Sequence, residues 1–329
     1  MSEASLTSGG RLLSMFRLGR KFMLRALKLC ILCGLIAFGL FAAPPATKLS
    51  PEAIKASLPE AFRQAPPLFR LKPAEQAIRV LGFGDFGDGS REQRSVASAM
   101  LQYHRLHPFD FAITLGDNFY NKGMKGVDDP RWKTWWDELY DPLGIQFYAT
   151  LGNHDYGFPE SPAAEILYSK QSPSWRMPAT EYVFAAGPAQ FFAVDTQVMS
   201  AGQLAWLKRE LDASKSHWKV VYGHHPIYSH GQHGDSQRLI RDLLPVLKDR
   251  ADVYITGHDH DMQHLKPEGR LHFFVAGCGG KLRRISPGER SLFAKSALGF
   301  AVIEAGASSL KVSFMDRSLV LLYQYALKK

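Results

Sequence analysis

Phe111-Ala112-Ile113-Thr114-Leu115-Gly116-Asp117-Asn118-Phe119-Tyr120 is an apolar, β-prone run that stops at a glycine and then presents a carboxylate, an amide and a phenol. The same event occurs four more times. Ile78 to Phe83 leads into Gly84-Asp85-Phe86-Gly87, and Phe147 to Leu151 leads into Gly152-Asn153-His154-Asp155. Trp218 to Tyr222 leads into Gly223-His224-His225, and Val253 to Thr256 into Gly257-His258-Asp259-His260. In an α/β sheet, ligands and chemistry collect beyond the carboxyl ends of strands. Glycine there lets the backbone turn sharply and approach an ion closely. Asp, Asn, His and Tyr together supply the mixed nitrogen and oxygen donors that hard-to-borderline metals take. A single Gly-Asp after a strand is ordinarily a turn, because Asp bonds its own backbone there. Five such strand ends in one chain indicate a metal site.

Outward from these blocks, strand and helix signals alternate from about Ile78 to Tyr325. The patterning predicts helices over Ser90 to His107, Gln203 to Ala213 and Ser236 to Leu244, the last ending before Pro245. The chain of 329 residues is 46% apolar, enough for a substantial core, and α/β folds of roughly 250 residues often form one domain. Neither a phosphate-cradling Gly-Lys-Ser/Thr loop nor a dinucleotide glycine fingerprint is present, and no internal repeat appears.

The blocks resemble those of the calcineurin-like metallophosphoesterases, and within them the purple acid phosphatases, most of all the small tartrate-resistant form. The likeness runs from about Val80 to His264 and includes Phe191-Phe192-Ala193-Val194-Asp195-Thr196 and Gln203-Leu204-Ala205-Trp206-Leu207. Two positions single out the subgroup: Gly87 stands where the wider family carries a histidine, and Tyr120 follows Asp117 by three residues. Exchanging a neutral imidazole for an anionic phenolate favours a trivalent ion. The resemblance implies an α/β (α+β) fold of two mixed β-sheets packed as a sandwich and flanked by helices. It implies that Asp85, Asp117, Tyr120 and His260 hold Fe³⁺, and that Asp117 bridges to a divalent ion (Fe²⁺, Zn²⁺ or Mn²⁺) completed by Asn153, His224 and His258. His154 and His233 match catalytic positions outside the ligand set, with Asp155 a candidate to orient an imidazole.

The activity so implied is hydrolysis of phosphate monoesters on a phosphorylated small molecule or protein, using a hydroxide that the two ions make available. A phosphodiesterase or nucleotidase on the same scaffold is the alternative, and a non-catalytic exported binding module the distant one. Retention of all seven ligands together with His154 and His233 weighs against the last. His104, His107, His217 and His272 read as packing or surface residues, His225 and His230 as neighbours of the site, and His264 as structural. Lys281, Arg283 and Arg284 read as a solvated loop, with contact to an anionic substrate as the alternative.

The N-terminus is a separate element. Residues 1–28 hold six Lys/Arg against Glu3, so +5 of the formal +9 lies there, a topology signal that predicts no nucleic-acid partner. Leu29 to Ala43 is then uninterrupted apolar or glycine sequence, read as a signal peptide or signal anchor. Small Ala42 and Ala43 precede Pro44 and Pro45, which leaves cleavage open. Residues 44–76 carry seven prolines and read as a semi-extended spacer, with Leu68, Phe69 and Leu71 able to dock on a catalytic domain at 77–329. Cys30 and Cys33 fall in the apolar run, leaving Cys278 alone. The exported part therefore has no disulfide pair, a departure from the mammalian-type form. The pattern places the catalytic domain on the periplasmic or extracellular face, tethered through 29–43 unless cut. A reporter enzyme fused after Lys329 is expected to function outside the cytoplasm; activity confined to the cytoplasm would refute this topology.

Overall fold

The five strands that carry the motif blocks are largely apolar, Arg79 and Lys219 excepted, because both of their faces are covered, one by a second sheet and one by helices. The computed structural model describes residues 49–71 and 77–329. Segments 1–28 and 29–43, with the flanks of the proline-rich stretch, lie outside the described residues. Among those described, no helix is long and apolar enough to cross a membrane.

In chain order the strands are β1 (Phe69–Arg70), β2 (Ile78–Phe83), β3 (Phe111–Thr114), β4 (Phe147–Ala149) and β5 (Trp175–Arg176). There follow β6 (Tyr182–Ala186), β7 (Ala189–Ala193), β8 (Trp218–Tyr222), β9 (Val253–Thr256) and β10 (Met262–Glu268). The last are β11 (Leu271–Ala276), β12 (Ser291–Lys295), β13 (Gly299–Ala305), β14 (Ser309–Asp316) and β15 (Leu321–Lys328). They form an eight-stranded sheet in the order β1-β6-β7-β8-β9-β11-β10-β12 and a seven-stranded sheet β15-β14-β13-β2-β3-β4-β5. Both are mixed. The run β2-β3-β4-β5 is parallel, as is β7-β8-β9-β11; the pairings outside these runs are antiparallel except β1 with β6.

The two sheets pack face to face over Val80, Phe111, Phe184, Phe191, Val220, Ile255 and Phe314. Helix Arg91–Leu106 and the aromatic group Trp132, Trp136 and Trp175 cover the outside of one sheet. Helix Ala201–Ala213 and the Leu239–Leu247 segment cover the other. The sandwich inferred from the resemblance is therefore the observed architecture. Its parallel runs put three block-bearing strand ends (β2, β3, β4) on one sheet and two (β8, β9) on the other. At that edge the sheets are tied together, the Gly84 N–H donating to the Ala276 carbonyl at 3.0 Å.

Helix ends follow their caps. Ser90 accepts from the Gln93 N–H and starts Arg91–Leu106. Ser200 accepts from the Gln203 N–H and starts the next helix at Ala201, two residues before the sequence reading. Ser236 caps Gln237–Asp242, and a separate turn, Leu244–Leu247, takes Pro245 into its own first turn, where the missing N–H costs nothing. The π-helical turn Trp132–Asp137 has no periodic signature in the sequence.

The described part of the proline-rich stretch differs from the spacer reading. Pro51–Ser57 is a helix capped by Ser50, with Ile54 and Leu58 buried, and β1 adds in parallel to the β6 edge. Phe69 and Leu71 pack on the inter-sheet core, whereas Leu68 is exposed. The compact unit accordingly begins at Leu49 and not at residue 77. Prolines set the ends of these pieces, and the apolar residues between them supply the docking face.

Phe111 meets Phe184 and Phe191 edge-on at 5.5 and 5.2 Å between the sheets. Phe111→Ala is expected to lower unfolding free energy by about 3–5 kcal/mol, read as a lower urea midpoint at unchanged slope. Leu292→Ala, at an exposed side chain, should stay within about 0.5 kcal/mol.

Candidate metal centre

Asp85, Asp117 and His258 lie at φ +59°, +50° and +71°, a left-handed conformation that costs side-chain-bearing residues free energy. Each is held there by bonds between blocks. The Asp85 Oδ2 accepts from the His258 N–H at 2.8 Å, and the Asp117 Oδ1 from the His154 N–H at 2.8 Å. Gly87 has a steric reason to lack a side chain: a Cβ there would lie 1.7 Å from the Asn118 carbonyl oxygen. That close approach lets the Tyr120 N–H donate to the Gly87 carbonyl at 2.6 Å, which binds the first block to the second.

Asp155 does not orient an imidazole. Its carboxylate accepts from the backbone N–H groups of Gly152, Asn118 and Phe119 at 2.7, 3.2 and 3.1 Å, stapling the second and third blocks together. It is fully buried beneath the loops, and three backbone donors outbid one exposed ring. A parallel staple, unread in the sequence, is Thr196. Its hydroxyl oxygen accepts from the N–H groups of His224 and His225 at 3.2 and 2.9 Å and meets the His225 Nδ1 at 2.9 Å. The apolar run ending in Asp195-Thr196 was the available signal.

All seven sequence-read ligands converge, in two groups. On one side the Tyr120 hydroxyl lies 3.0 Å from Asp85 Oδ1 and 3.2 Å from His260 Nε2, and those two atoms are 3.4 Å apart. On the other, His224 Nε2 lies 3.0 Å from His258 Nδ1, 3.2 Å from Asn153 Oδ1 and 3.4 Å from Asp117 Oδ1. The His224 Nδ1–H donates to the Leu115 carbonyl at 2.8 Å, which fixes the ring and turns Nε2 toward the other donor atoms. Asp117 joins the groups: its carboxylate, that of Asp85 and the His224 ring nitrogen fall within 4.8 Å of one another.

Three nitrogen and oxygen atoms within 3.4 Å of His224 Nε2, two of them acceptors only, form an arrangement that a cation stabilises. The ionisation equilibria agree. Burial pushes Asp85 up to about 8, and burial drives His260 down to about 4 and His258 far below the imidazole range. Burial, then the neighbouring Asp85, raises Tyr120 well above the ordinary phenol value. Neutral imidazoles are ready ligands, and the carboxylate and phenol need positive charge to ionise. The residues fit a pair of metal ions.

His154 and His233 stand on opposite flanks. The His154 Nδ1 is 2.6 Å from the Asn121 carbonyl, with Nε2 turned to Asp117 Oδ2 at 3.9 Å. The His233 ring stacks on His258 at 4.0 Å, its Nε2 meeting the Arg283 guanidinium. The loop after β11 alternates. Lys281 and Arg283 turn inward, Lys281 3.5 Å from the Tyr120 ring centre, while Leu282 and Arg284 face solvent. His225 packs against His258 at 4.4 Å. The His230 N–H donates to the Gln263 Oε1 at 2.9 Å. His104 accepts from the Phe109 N–H, His217 lies on Trp218, and His264 and His272 bond each other at 3.1 Å beside Tyr323.

A family profile described as calcineurin-like phosphoesterase matches residues 78–262. Purple acid phosphatase 7 of Arabidopsis thaliana is 32% identical over 293 residues, covering 78% of this chain and 88% of that protein. Tartrate-resistant acid phosphatase type 5 of Sus scrofa is 28% identical, covering 73% and 84%. Among solved structures, GAP50, the anchor in the inner membrane complex of Plasmodium, superposes with a TM-score of 0.70 at 27% identity over 77% of this chain and 89% of that one. The chain belongs to the calcineurin-like phosphoesterases and, within them, to the purple acid phosphatases.

Proposed function

We propose that this protein hydrolyses phosphate monoesters, with Asp85, Asp117, Tyr120 and His260 holding Fe³⁺ and with Asp117, Asn153, His224 and His258 holding a divalent ion. The observation that carries the reading is the pairing of the two groups: a phenol oxygen between a carboxylate and an imidazole on one side, two imidazoles and an amide oxygen on the other, and Asp117 shared. Bound there, the ions would supply a nucleophile at mild acidity and neutralise phosphate oxygens. The chain's own groups do the rest. Lys281 and Arg283, inward-facing at the rim, draw the phosphate dianion toward the site. His154 and His233 flank the position it takes, and a protonated imidazole there delivers the proton to the departing alkoxide.

Similarity to an anchor protein favours a second reading, a binding role without turnover. Retention of the whole donor set supports catalysis instead. Export, with residues 29–43 as anchor, remains part of the proposal and places the substrate outside the cytoplasm.

The purified protein is expected to be purple to violet from a phenolate-to-iron band, and Tyr120→Phe to lose the colour with its fold intact. Active, colourless protein carrying stoichiometric zinc and no iron would sink the ferric assignment, and coloured protein with no turnover would favour the anchor reading.

His154→Ala and His233→Ala should keep both metals. The variant that removes the proton donor should slow alkyl phosphate hydrolysis by about 10²–10⁴. Nitrophenyl phosphate, whose leaving group departs without protonation, should be affected less. Equal losses on the two substrates, measured as kcat, would remove the acid role.

A further inference from the structure

We propose that Lys55, in the helix upstream of all five motif blocks, is a positioning residue for the divalent half of the site; this rests on the two-metal reading above. Lys55 is 7% exposed. Its ammonium reaches Glu181 Oε2 at 2.9 Å, Asp195 Oδ2 at 3.0 Å and the Val198 carbonyl at 3.4 Å, one acceptor for each N–H. Two carboxylates enclose one cation, so its charge is required for the pair to remain ionised away from water. Burial opposes the ammonium, yet Asp195 and then Glu181 hold its pKa above the ordinary lysine value.

Asp195 is the junction. Its Oδ2 also accepts from the Tyr156 hydroxyl at 2.7 Å, and its Oδ1 from the N–H groups of Gln197 and Val198, both at 3.0 Å. Tyr156 closes the short turn His154–Tyr156, which directly follows Asn153. The residue after Asp195 is Thr196, whose hydroxyl oxygen accepts from the His224 N–H. A single carboxylate thus fixes the loop that presents Asn153 and the loop that backs His224. Both are assigned to the divalent ion. The ferric ligands Asp85, Tyr120 and His260 are held by contacts among themselves, by the Gly87 carbonyl and by the His258 N–H, none of which passes through Asp195; of the ferric set only the shared Asp117, bonded to the His154 N–H, touches the turn that Tyr156 closes. Without Lys55, the buried Asp195 and Glu181 carboxylates have no cation between them, and the grip of Asp195 on the two loops loosens.

The test uses the full chain and compares Lys55→Met with Lys55→Arg, which keeps the charge. Three quantities are read: the phenolate–iron band, zinc affinity in competition with a chelator, and turnover of nitrophenyl phosphate. Loss of a residue that orients ligands from behind costs about 10–100-fold in metal affinity. Lys55→Met should therefore keep iron and its band, bind zinc at least about tenfold more weakly, and regain turnover at saturating zinc. Lys55→Arg should stay near the parent. Equal loss of both metals would reduce Lys55 to a general stabiliser, and parent-like zinc affinity would overturn the inference outright. If Lys55→Met does not fold, Tyr156→Phe, which removes one hydroxyl, should weaken zinc without moving the band; unchanged zinc affinity there overturns the inference. A parent protein without iron or colour would defeat the ferric assignment alone, and the zinc comparison between the two Lys55 variants would still decide the role of Lys55.

Discussion

Everything at this site depends on holding electron-rich atoms together against their mutual repulsion. His224 Nε2 faces Asp117, Asn153 and His258 within 3.4 Å, and Asp85 is stripped of water beside a phenol. Such a cluster persists only if its framework is stiffer than the repulsion is strong. The stiffness comes from backbone N–H groups donated to buried oxygens: Asp155 takes three, the Thr196 hydroxyl takes two, and the outer oxygen of Asp85 takes one from His258. The left-handed conformations of Asp85, Asp117 and His258 are the visible cost of aiming the side chains inward.

The two-sheet plan suits this task. Parallel strands within each sheet bring several carboxyl ends to one edge, and stacking the sheets brings the two edges together. Three blocks then face two across a narrow seam, so ligands far apart in sequence meet without long loops. The Gly84 to Ala276 bond and the His224 ring anchored on Leu115 both cross that seam.

What the sequence disclosed was periodic or punctuated. Apolar runs ending in glycine marked β2, β3, β4, β8 and β9, and the helix starts read at Ser90, Gln203 and Ser236 fall within two residues of those observed. What stayed hidden was contact with no local trace. Nothing near Asp155 says that it binds backbone in preference to an imidazole, and nothing near Gly87 says that the Asn118 carbonyl occupies the space of its missing Cβ. The docking of Pro51–Ser57 was obscured for another reason. Proline-rich composition is common to extended linkers and to short capped helices, and the burial of Ile54 and Lys55 depends on partners more than a hundred residues away.

The two-residue strand β1 has a consequence out of proportion to its length. Sitting in parallel against β6, it occupies what would otherwise be the free margin of the eight-stranded sheet. The strand it shields, Tyr182 to Ala186, is buried along its whole length and apolar at every position. Unshielded, such a margin is a template for pairing with other chains. A chain trimmed back to its motif-bearing part would lose Lys55 and also acquire an adhesive flank. The upstream segment thus serves solubility as well as architecture.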